Sequence, residues 1–368
     1  MGLGRIVVYK LNFMNKYSVG IDISKNDFHA CFSGIDSNQK VKVLRSGTFK
    51  NNNNGFVELA KWVKDTASEK NIPVVIIMEA KGVYFENCAL SLFKNGFNVS
   101  VILPNKAKKY IAALGIKTKN DKADAKALSR MGAEQALQLW QPMDDYFYEL
   151  RALTRLYQTF QENITATKNQ LEAAELGMYP SKMIIHSLKK IISETEKQLL
   201  LIRETIYKHL ASNESIAAKV KCIAEIKGVA ALTIAVLAAE TNGFLLFENA
   251  SQLVSYAGYD VVESQSGLRV GKTKISKKGN SRIRRALHMP ALNVVRYKVK
   301  KYQVFFERNL ERHGIKMKSY VAVQKKLLTT IYALWKKGEI FDPEYDSKNT
   351  TRDAEAVQSS RPNFAEVG

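Results

Sequence analysis

Two heptad repeats in the middle of the chain constrain the fold more than any other feature of the sequence. Apolar and aromatic residues alternate steps of four and three from Tyr146 to Leu171, and the pattern resumes from Ile185 to Ile206. This spacing produces the seam along which helices pack in a coiled coil. Gly177 and Pro180 stand between the two repeats, and a proline inside a helix breaks or kinks it. The region, bounded at residues 143–212, therefore predicts an arm of two long helices.

The heptads permit two arrangements of these helices. An arm that joins protomers into a dimer or tetramer and a hairpin within a single chain would each bury an apolar seam. The pattern does not separate the two, and we carry the homo-oligomer forward as the expectation.

Residues 16–142 have the pattern of an α/β domain. Their predicted strands are residues 17–22, 27–33, 41–49, 73–78 and 99–103, and the first three follow one another at hairpin spacing. The run at 73–78 is β-branched and continuous, as in a buried parallel strand. Helical spacing of apolar residues follows the third and fourth strands. Three strands in series and then alternating helices and strands are the order of a ribonuclease-H-like domain.

Four carboxylates fall where this order could bring them together. Asp22 ends the first strand and Glu79 follows the buried run, while Asp121 and Asp124 are three residues apart in a helical segment and would share a face. Four close carboxylates repel one another unless a divalent cation neutralises them, and oxygen ligands favour Mg²⁺ or Mn²⁺ over zinc. Each acid alone also suits an ordinary surface charge. Together they predict a metal site.

Residues 256–286 form the most basic loop of the chain. Ser266 and Gly267 precede a run of cations that includes Lys272, Lys274, Lys277, Lys278, Arg282, Arg284 and Arg285. A hydroxyl facing fixed cations suits chemistry on a phosphodiester, because the cations hold the phosphate and stabilise the charge that grows in the transition state. The alternative is that Ser-Gly forms only a turn and that the cations contact solvent, or nucleic acid without chemistry.

The net charge indicates a polyanionic partner. It is +21 for the whole chain, and residues 258–340 contain 20 Lys and Arg against 5 Asp and Glu. Displaced counterions drive the binding of such a region to nucleic acid. A membrane surface is disfavoured because no stretch has about 18 uninterrupted apolar residues and the basic region does not form one amphipathic helix.

Two features of the C-terminal part permit either packing or nucleic-acid contact. Residues 226–230 are close to the turn of a helix-hairpin-helix, which offers backbone N–H groups to phosphate, but Ala230 replaces its second glycine. Seven aromatic residues lie among the cations of residues 296–337, where core packing is favoured over base stacking.

The two ends of the chain and its cysteines indicate its ordered limits and its location. Residues 1–15 lack the apolar periodicity of a helix or strand, and we expect them to be a leader, with Met14 just before the first strand. Residues 341–368 are polar, and we expect them to be a disordered tail. Three isolated cysteines have no C-x-x-C spacing and there is no secretory signal, so we expect a cytoplasmic, nucleoid-associated protein.

Four motifs resemble the transposases of the insertion sequence 110 family. They are GIDISK around Asp22, MEAKGVY around Glu79, NDKADAKAL around Asp121 and Asp124, and YAGYDVVESQSGLRVGKTKISKKGNSRIRRAL from Tyr256. They occur in the family's order over about residues 17–334, with a helical arm between the two halves. The resemblance implies a RuvC-like DEDD domain, a coiled-coil arm and, over residues 213–340, a C-terminal transposase domain.

The resemblance also implies roles for these residues. The four acids would hold the metal and Ser266 would be the recombination nucleophile, in preference to Ser264, because the family serine precedes a glycine. The implied partners are donor DNA, target DNA and a bridge RNA that pairs with both. Two departures concern the surroundings of the acids: Lys81 and Asn120 stand where the family usually has threonine.

These expectations define a DNA transposase or recombinase of a mobile element. A RuvC-like junction nuclease that hydrolyses DNA with water, in which the serine is structural, is the alternative reaction. An RNA-binding scaffold without catalysis is the alternative from another class.

Overall fold

The computed structural model describes residues 14–342 except 68, 70, 117, 119, 264, 267, 268, 271 and 272, and it does not describe the side chains of 265, 266, 269 and 270. Residues 1–13 of the expected leader and 343–368 of the expected tail lie outside the described residues. The chain divides into two compact units, Met1–Pro142 (unit 1) and Met143–Gly368 (unit 2).

Unit 1 contains a five-stranded mixed sheet. Its strands are β1 (Met14–Ile23), β2 (Asp27–Asp36), β3 (Val41–Lys50), β4 (Val74–Glu79) and β5 (Asn98–Ile102), in the order β3-β2-β1-β4-β5. β2 is antiparallel to β1 and β3, whereas β4 is parallel to β1 and β5. This is the ribonuclease-H-like arrangement that the sequence predicted. Met14 is the first residue of β1, so the strand begins inside the segment expected to be a leader.

The described part of unit 1 also contains the helices α1 (Asn53–Thr66), α2 (Glu86–Lys94), α3 (Pro104–Ala113) and α4 (Asp121–Glu134). The buried side chains of β4 alternate between two cores, as they must in a strand covered on both faces. Ile76 and Met78 belong to one core and Ile77 to the other. Each such side chain contributes roughly 1.5–3 kcal/mol when it leaves water.

A glycine allows α4 to lie directly against β1. A Cβ on Gly20 would be 2.1 Å from the backbone nitrogen of Ser129 and 2.2 Å from the backbone oxygen of Ala125. No side chain fits in that space, so the helix and the strand are in backbone contact here. This close approach fixes the position of α4 relative to the edge at which β1 ends.

Unit 2 begins with two long helices, α5 (Asp145–Leu176) and α6 (Lys182–Ala211). They are antiparallel within one chain, because Lys168 pairs with Glu196 and Lys189 with Glu175, both at 2.8 Å. Of the two arrangements that the heptads permitted, the single chain therefore forms the hairpin. The oligomer stays a prediction.

The rest of unit 2 is mainly helical. It comprises α7 (Glu214–Ala224), α8 (Ala231–Glu240), α9 (Ala250–Ala257), α10 (Ser281–Ala286), α11 (His288–Arg296), α12 (Lys300–His313) and α13 (Lys316–Lys337), with the short strands β6 (Val261–Val262), β7 (Gln265–Ser266), β8 (Arg269–Val270) and β9 (Lys274–Ile275). Most of the interleaved aromatics pack in its core, including Tyr302 and Trp335, whereas Tyr297 is 46% exposed.

The turn before α8 is a packing element. Gly228 has φ +103°, and a Cβ there would lie 2.9 Å from the Cβ of Asn293 on α11. Glycine is required both for the backbone conformation and for this contact. Within the described residues, no helix combines the length and the hydropathy needed to cross a membrane.

Candidate active site

Two of the four acids lie side by side at one edge of the unit 1 sheet. In the parallel pair of β1 and β4, Ile21 is opposite Met78, so Asp22 and Glu79 are the next residues of the two strands. The carboxyl ends of parallel strands meet at the same edge of a sheet. Asp22 is 3% exposed and Glu79 is partly buried.

The other two acids occupy the first turn of α4. Asn120 caps the helix, and its side chain accepts a hydrogen bond from the backbone N–H of Ala123 at 2.8 Å. Asp121 and Asp124 follow in the first turn, where the helix dipole favours negative charge. The departure from threonine at residue 120 therefore preserves the cap, since asparagine is a preferred N-cap residue.

The four carboxylates act on one another electrostatically. Burial raises the pKa of Asp22, and the charges of Asp121 and Asp124 raise it further against the opposing effect of Lys81. Burial also raises the pKa of Glu79, and the charges of Asp22 and Asp124 add to it. Within the described residues, no group of three or more His, Cys, Asp or Glu has the geometry of a metal site. The ligand roles therefore stay a prediction.

Lys81 provides a positive charge inside this acidic cluster. Its Nζ donates a hydrogen bond to Oδ1 of Asp22, and its charge also acts on Glu79 and Asp124. Burial lowers the pKa of Lys81, but the hydrogen bond and the neighbouring carboxylates outweigh that effect and raise it. The sequence marked Lys81 only as a departure from the family pattern. A lysine two residues after a strand-end acid was the available signal.

The predicted nucleophile lies in a short hairpin of unit 2. β7 and β8 are antiparallel, with Ser266 opposite Arg269, and β6 and β9 form a second pair, with Val262 opposite Lys274. Three residues of this prediction lie outside the described residues, namely Ser264, Gly267 and Lys272. The choice between the two serines stays a prediction.

The described cations after the hairpin fall into two groups. Lys274, Lys277 and Lys278 are exposed. The arginines of α10 instead have partners within unit 2. Arg285 pairs with Glu162 on α5, and Arg284 donates to the backbone oxygen of Ala257 at 2.8 Å.

Arg282 belongs to a buried network around Glu240, a residue that the sequence analysis did not single out. Glu240 is 2% exposed. Arg155 donates to its two carboxylate oxygens at 2.7 and 2.9 Å, Asn280 donates to it at 2.8 Å, and Nε of Arg282 lies 4.0 Å away. Burial alone would raise the pKa of Glu240, but these partners hold it below its ordinary value. The signal for Glu240 in the sequence was a single acid at the end of an otherwise apolar helix.

Comparisons with known proteins identify the family. A DEDD transposase model of the IS110 type matches residues 19–180, and a model described as "Transposase IS116/IS110/IS902 family" matches residues 220–307. The pilin gene-inverting protein of Moraxella bovis is 30% identical over 331 residues, which are 89% of this chain and 98% of that protein. This chain belongs to the IS110 family of transposases.

Two further similarities accompany this assignment. The transposase for insertion sequence element IS1111A of Coxiella burnetii is 24% identical over 349 residues, covering 88% of this chain and 90% of that protein. The RuvC structure of Thermus thermophilus is 13% identical, with a TM-score of 0.27, and covers 34% of this chain and 99% of that one. The fold assignment of this IS110 transposase rests on its strand order.

The acidic cluster of the IS110 transposase has the donor chemistry of a divalent-cation site, although the described residues do not bring three acids into the geometry of one. Its donor atoms are carboxylate oxygens, which suit Mg²⁺ or Mn²⁺. The raised pKa values of Asp22 and Glu79 show that burial and mutual repulsion disfavour the charged acids. A cation among them would relieve both effects.

A basic pocket of about 810 Å³ lies elsewhere in unit 2 of the transposase. Its charged lining is Lys221, Glu225, Lys227, Lys298 and Lys300, beside Tyr297. Nζ of Lys227 is 5.4 Å from the centre of the Tyr297 ring. The sequence did not identify this pocket, because its residues come from distant helices.

Proposed function

We propose that this transposase cuts and rejoins DNA through Ser266, with the help of a divalent Mg²⁺ or Mn²⁺ ion. The residues that would hold the ion are Asp22, Glu79, Asp121 and Asp124. The observation that supports this proposal best is that two adjacent strand ends and the first turn of α4 bring four acids into one electrostatic cluster.

In the proposed reaction the hydroxyl oxygen of Ser266 bonds to the DNA phosphorus and the bond to a sugar oxygen breaks. The serine hydroxyl gives up its proton, the leaving oxygen takes one up, and the phosphoserine linkage conserves the energy of the phosphodiester for rejoining. A bound divalent ion would stabilise the charge on the phosphate and the leaving oxygen. Asp22 would hold its position through burial, and the N-cap of α4 would orient Asp121 and Asp124.

The proposed partners are donor DNA, target DNA and a bridge RNA. The exposed Lys274, Lys277 and Lys278 are available to phosphates, while Lys272 lies outside the described residues. Arg282, Arg284 and Arg285 have protein partners, so we assign them a second role in shaping the base of the hairpin. The excess charge of residues 258–340 supports a polyanion and a site of action at the nucleoid in the cytoplasm.

We further propose that copies of the chain associate through the arm. Large apolar side chains at the end of the α5–α6 hairpin are exposed, namely Leu176, Met178, Tyr179 and Met183, each by 79% or more. Exposed apolar clusters of this kind mark association surfaces. We propose a second copy of the same arm as the occupant, because it carries the same exposed apolar cluster and a two-fold contact is self-complementary.

Trapping the covalent intermediate tests the reaction. Ser266→Ala should abolish the protein–DNA adduct, whereas Ser264→Ala should retain it, and both should bind DNA as the unaltered protein does because the lysines remain. The adduct is measured by denaturing electrophoresis with labelled DNA and Mg²⁺. An adduct that depends on Ser264 would show that Ser264, and not Ser266, is the nucleophile. DNA cleavage without any adduct would favour the junction nuclease, and nucleic-acid binding with neither would favour the scaffold.

A further inference from the structure

We propose that Lys81 is an internal counter-cation of the acidic cluster. Its ammonium group offsets part of the negative charge of the cluster in the metal-free protein and must leave Asp22 when a divalent ion binds. Lys81 therefore sets the ion concentration that the transposase needs. The inference rests on the proposed metal site.

The backbone fixes Lys81 at the edge of the sheet. The N–H of Lys81 donates to the carbonyl of Glu79 at 2.9 Å, and the N–H of Ala80 donates to the carbonyl of Ile102 at 3.0 Å. The segment after β4 is thus tied to its own strand end and to β5. From this position the side chain reaches Asp22 on β1.

The charge of Lys81 is placed to balance several acids at once. Asp22 accepts its hydrogen bond, and Glu79 and Asp124 also interact with its charge. Asp22 is 3% exposed, and a buried carboxylate that loses its partner is strongly destabilising. In the metal-free protein Lys81 consequently performs part of the neutralisation that a divalent ion would otherwise perform.

Binding of a metal ion at Oδ1 of Asp22 competes with the Lys81 contact. Oδ1 of Asp22 accepts the hydrogen bond of the ammonium group, and a divalent ion at the same oxygen would be repelled by the adjacent positive charge. The lysine side chain is 38% exposed, and its long stem allows the charged end to turn toward water. The side chain of Lys81 can therefore turn away from Asp22. The free energy needed to break the contact lowers the affinity for the ion.

The test compares Mn²⁺ binding and stability among variants of the full chain. Lys81→Met should bind Mn²⁺ about tenfold more tightly, since one neighbouring charge shifts such equilibria by about one to three powers of ten. Without metal it should melt at a lower temperature, and its melting temperature should rise more on addition of Mn²⁺. Titration calorimetry, Mn²⁺ electron paramagnetic resonance and thermal melting measure these quantities.

Two further variants control the result. Lys108→Met removes an exposed lysine of α3 and should change neither Mn²⁺ affinity nor melting. Lys81→Arg keeps the charge and should bind Mn²⁺ no more tightly than the unaltered protein. Lys81→Thr serves in place of the methionine variant if that protein does not fold, and it should also bind the ion more tightly.

The outcomes separate this inference from the proposed function. Unchanged Mn²⁺ affinity in both Lys81→Met and Lys81→Thr would overturn the counter-cation and reduce Lys81 to a structural ion pair, with the metal site intact. Absence of Mn²⁺ binding in every variant and in the unaltered protein would overturn both proposals.

Discussion

At the scale of single residues, burial decides which charges of this transposase have consequences. Asp22 and Glu240 are 3% and 2% exposed, and each contacts a cation, Lys81 for Asp22 and Arg155 for Glu240. The two differ in electrostatic balance. Burial and then the neighbouring carboxylates raise the pKa of Asp22, whereas the partners of Glu240 outweigh the effect of burial and lower its pKa. The first environment calls for a further cation, and the second is already neutralised.

The lowered pKa of Glu240 predicts how unit 2 responds to pH. A carboxyl group with a depressed folded-state pKa stabilises the fold above its unfolded pKa, about 4.3 for glutamate. That contribution is lost as the pH falls through the folded value. Glu240→Gln should therefore weaken the region by roughly 1.5–3 kcal/mol at pH 7, the usual value of hydrogen bonds to a charged group, and the difference should shrink below about pH 4. Hydrogen exchange of the α8 and α10 amides measures the effect.

Glu162→Gln is the matched control, because Glu162 also pairs with an arginine but its side chain is 52% exposed. Exposed ion pairs contribute little to stability, so this variant should exchange like the unaltered protein at both pH values. Equal exchange in all three proteins at pH 7 would contradict the assigned role of Glu240.

At the scale of elements, the contact between α4 and β1 positions half of the acidic cluster. Gly20→Ala would insert a methyl group into the space now occupied by backbone atoms of α4. We expect a loss of about 1–3 kcal/mol, the usual cost of overpacking, and weaker Mn²⁺ binding because Asp121 and Asp124 move with the helix. Denaturant unfolding and calorimetry measure the two effects.

Gly47→Ala provides the comparison for this prediction. The added Cβ would meet the ring of Phe49 at 3.2 Å, a side chain that can shift, and β3 carries none of the four acids. A Gly20→Ala protein with the stability and Mn²⁺ affinity of Gly47→Ala would show that α4 is not held by this contact.

The elements of the α/β unit could be predicted because their patterns are local. Strand alternation and the buried run at residues 73–78 predicted the ribonuclease-H-like fold, which is confirmed, and the spacing of Asp121 and Asp124 predicted that they lie on one helix. The contacts made by Lys81 and Glu240 could not be predicted. They join residues 59 and 85 positions apart, and neither periodicity nor composition contains that information. The two-residue strands β6 to β9 are likewise too short for an alternating pattern.

At the scale of the whole molecule, a single segment of unit 2 is strongly basic. Residues 258–340 contain an excess of 15 positive charges out of the net +21, and the pocket beside Tyr297 adds Lys221 and Lys227 to that surface. Charge alone supplies affinity that does not depend on sequence and falls steeply with salt. A protein that relied on it alone would bind any nucleic acid.

Binding of a structured guide RNA should therefore resist salt better than binding of other nucleic acid. Shape and 2′-hydroxyl contacts add affinity that does not depend on counterion release. The transposase purified from its host in about 0.5 M salt, which screens exposed charges beyond a few Å, should retain one defined RNA. Sequencing of the bound nucleic acid is the measurement, and a parallel purification from cells lacking the gene is the control. Recovery of only heterogeneous nucleic acid that is lost as the salt rises would remove the guide and leave a transposase that selects its DNA directly.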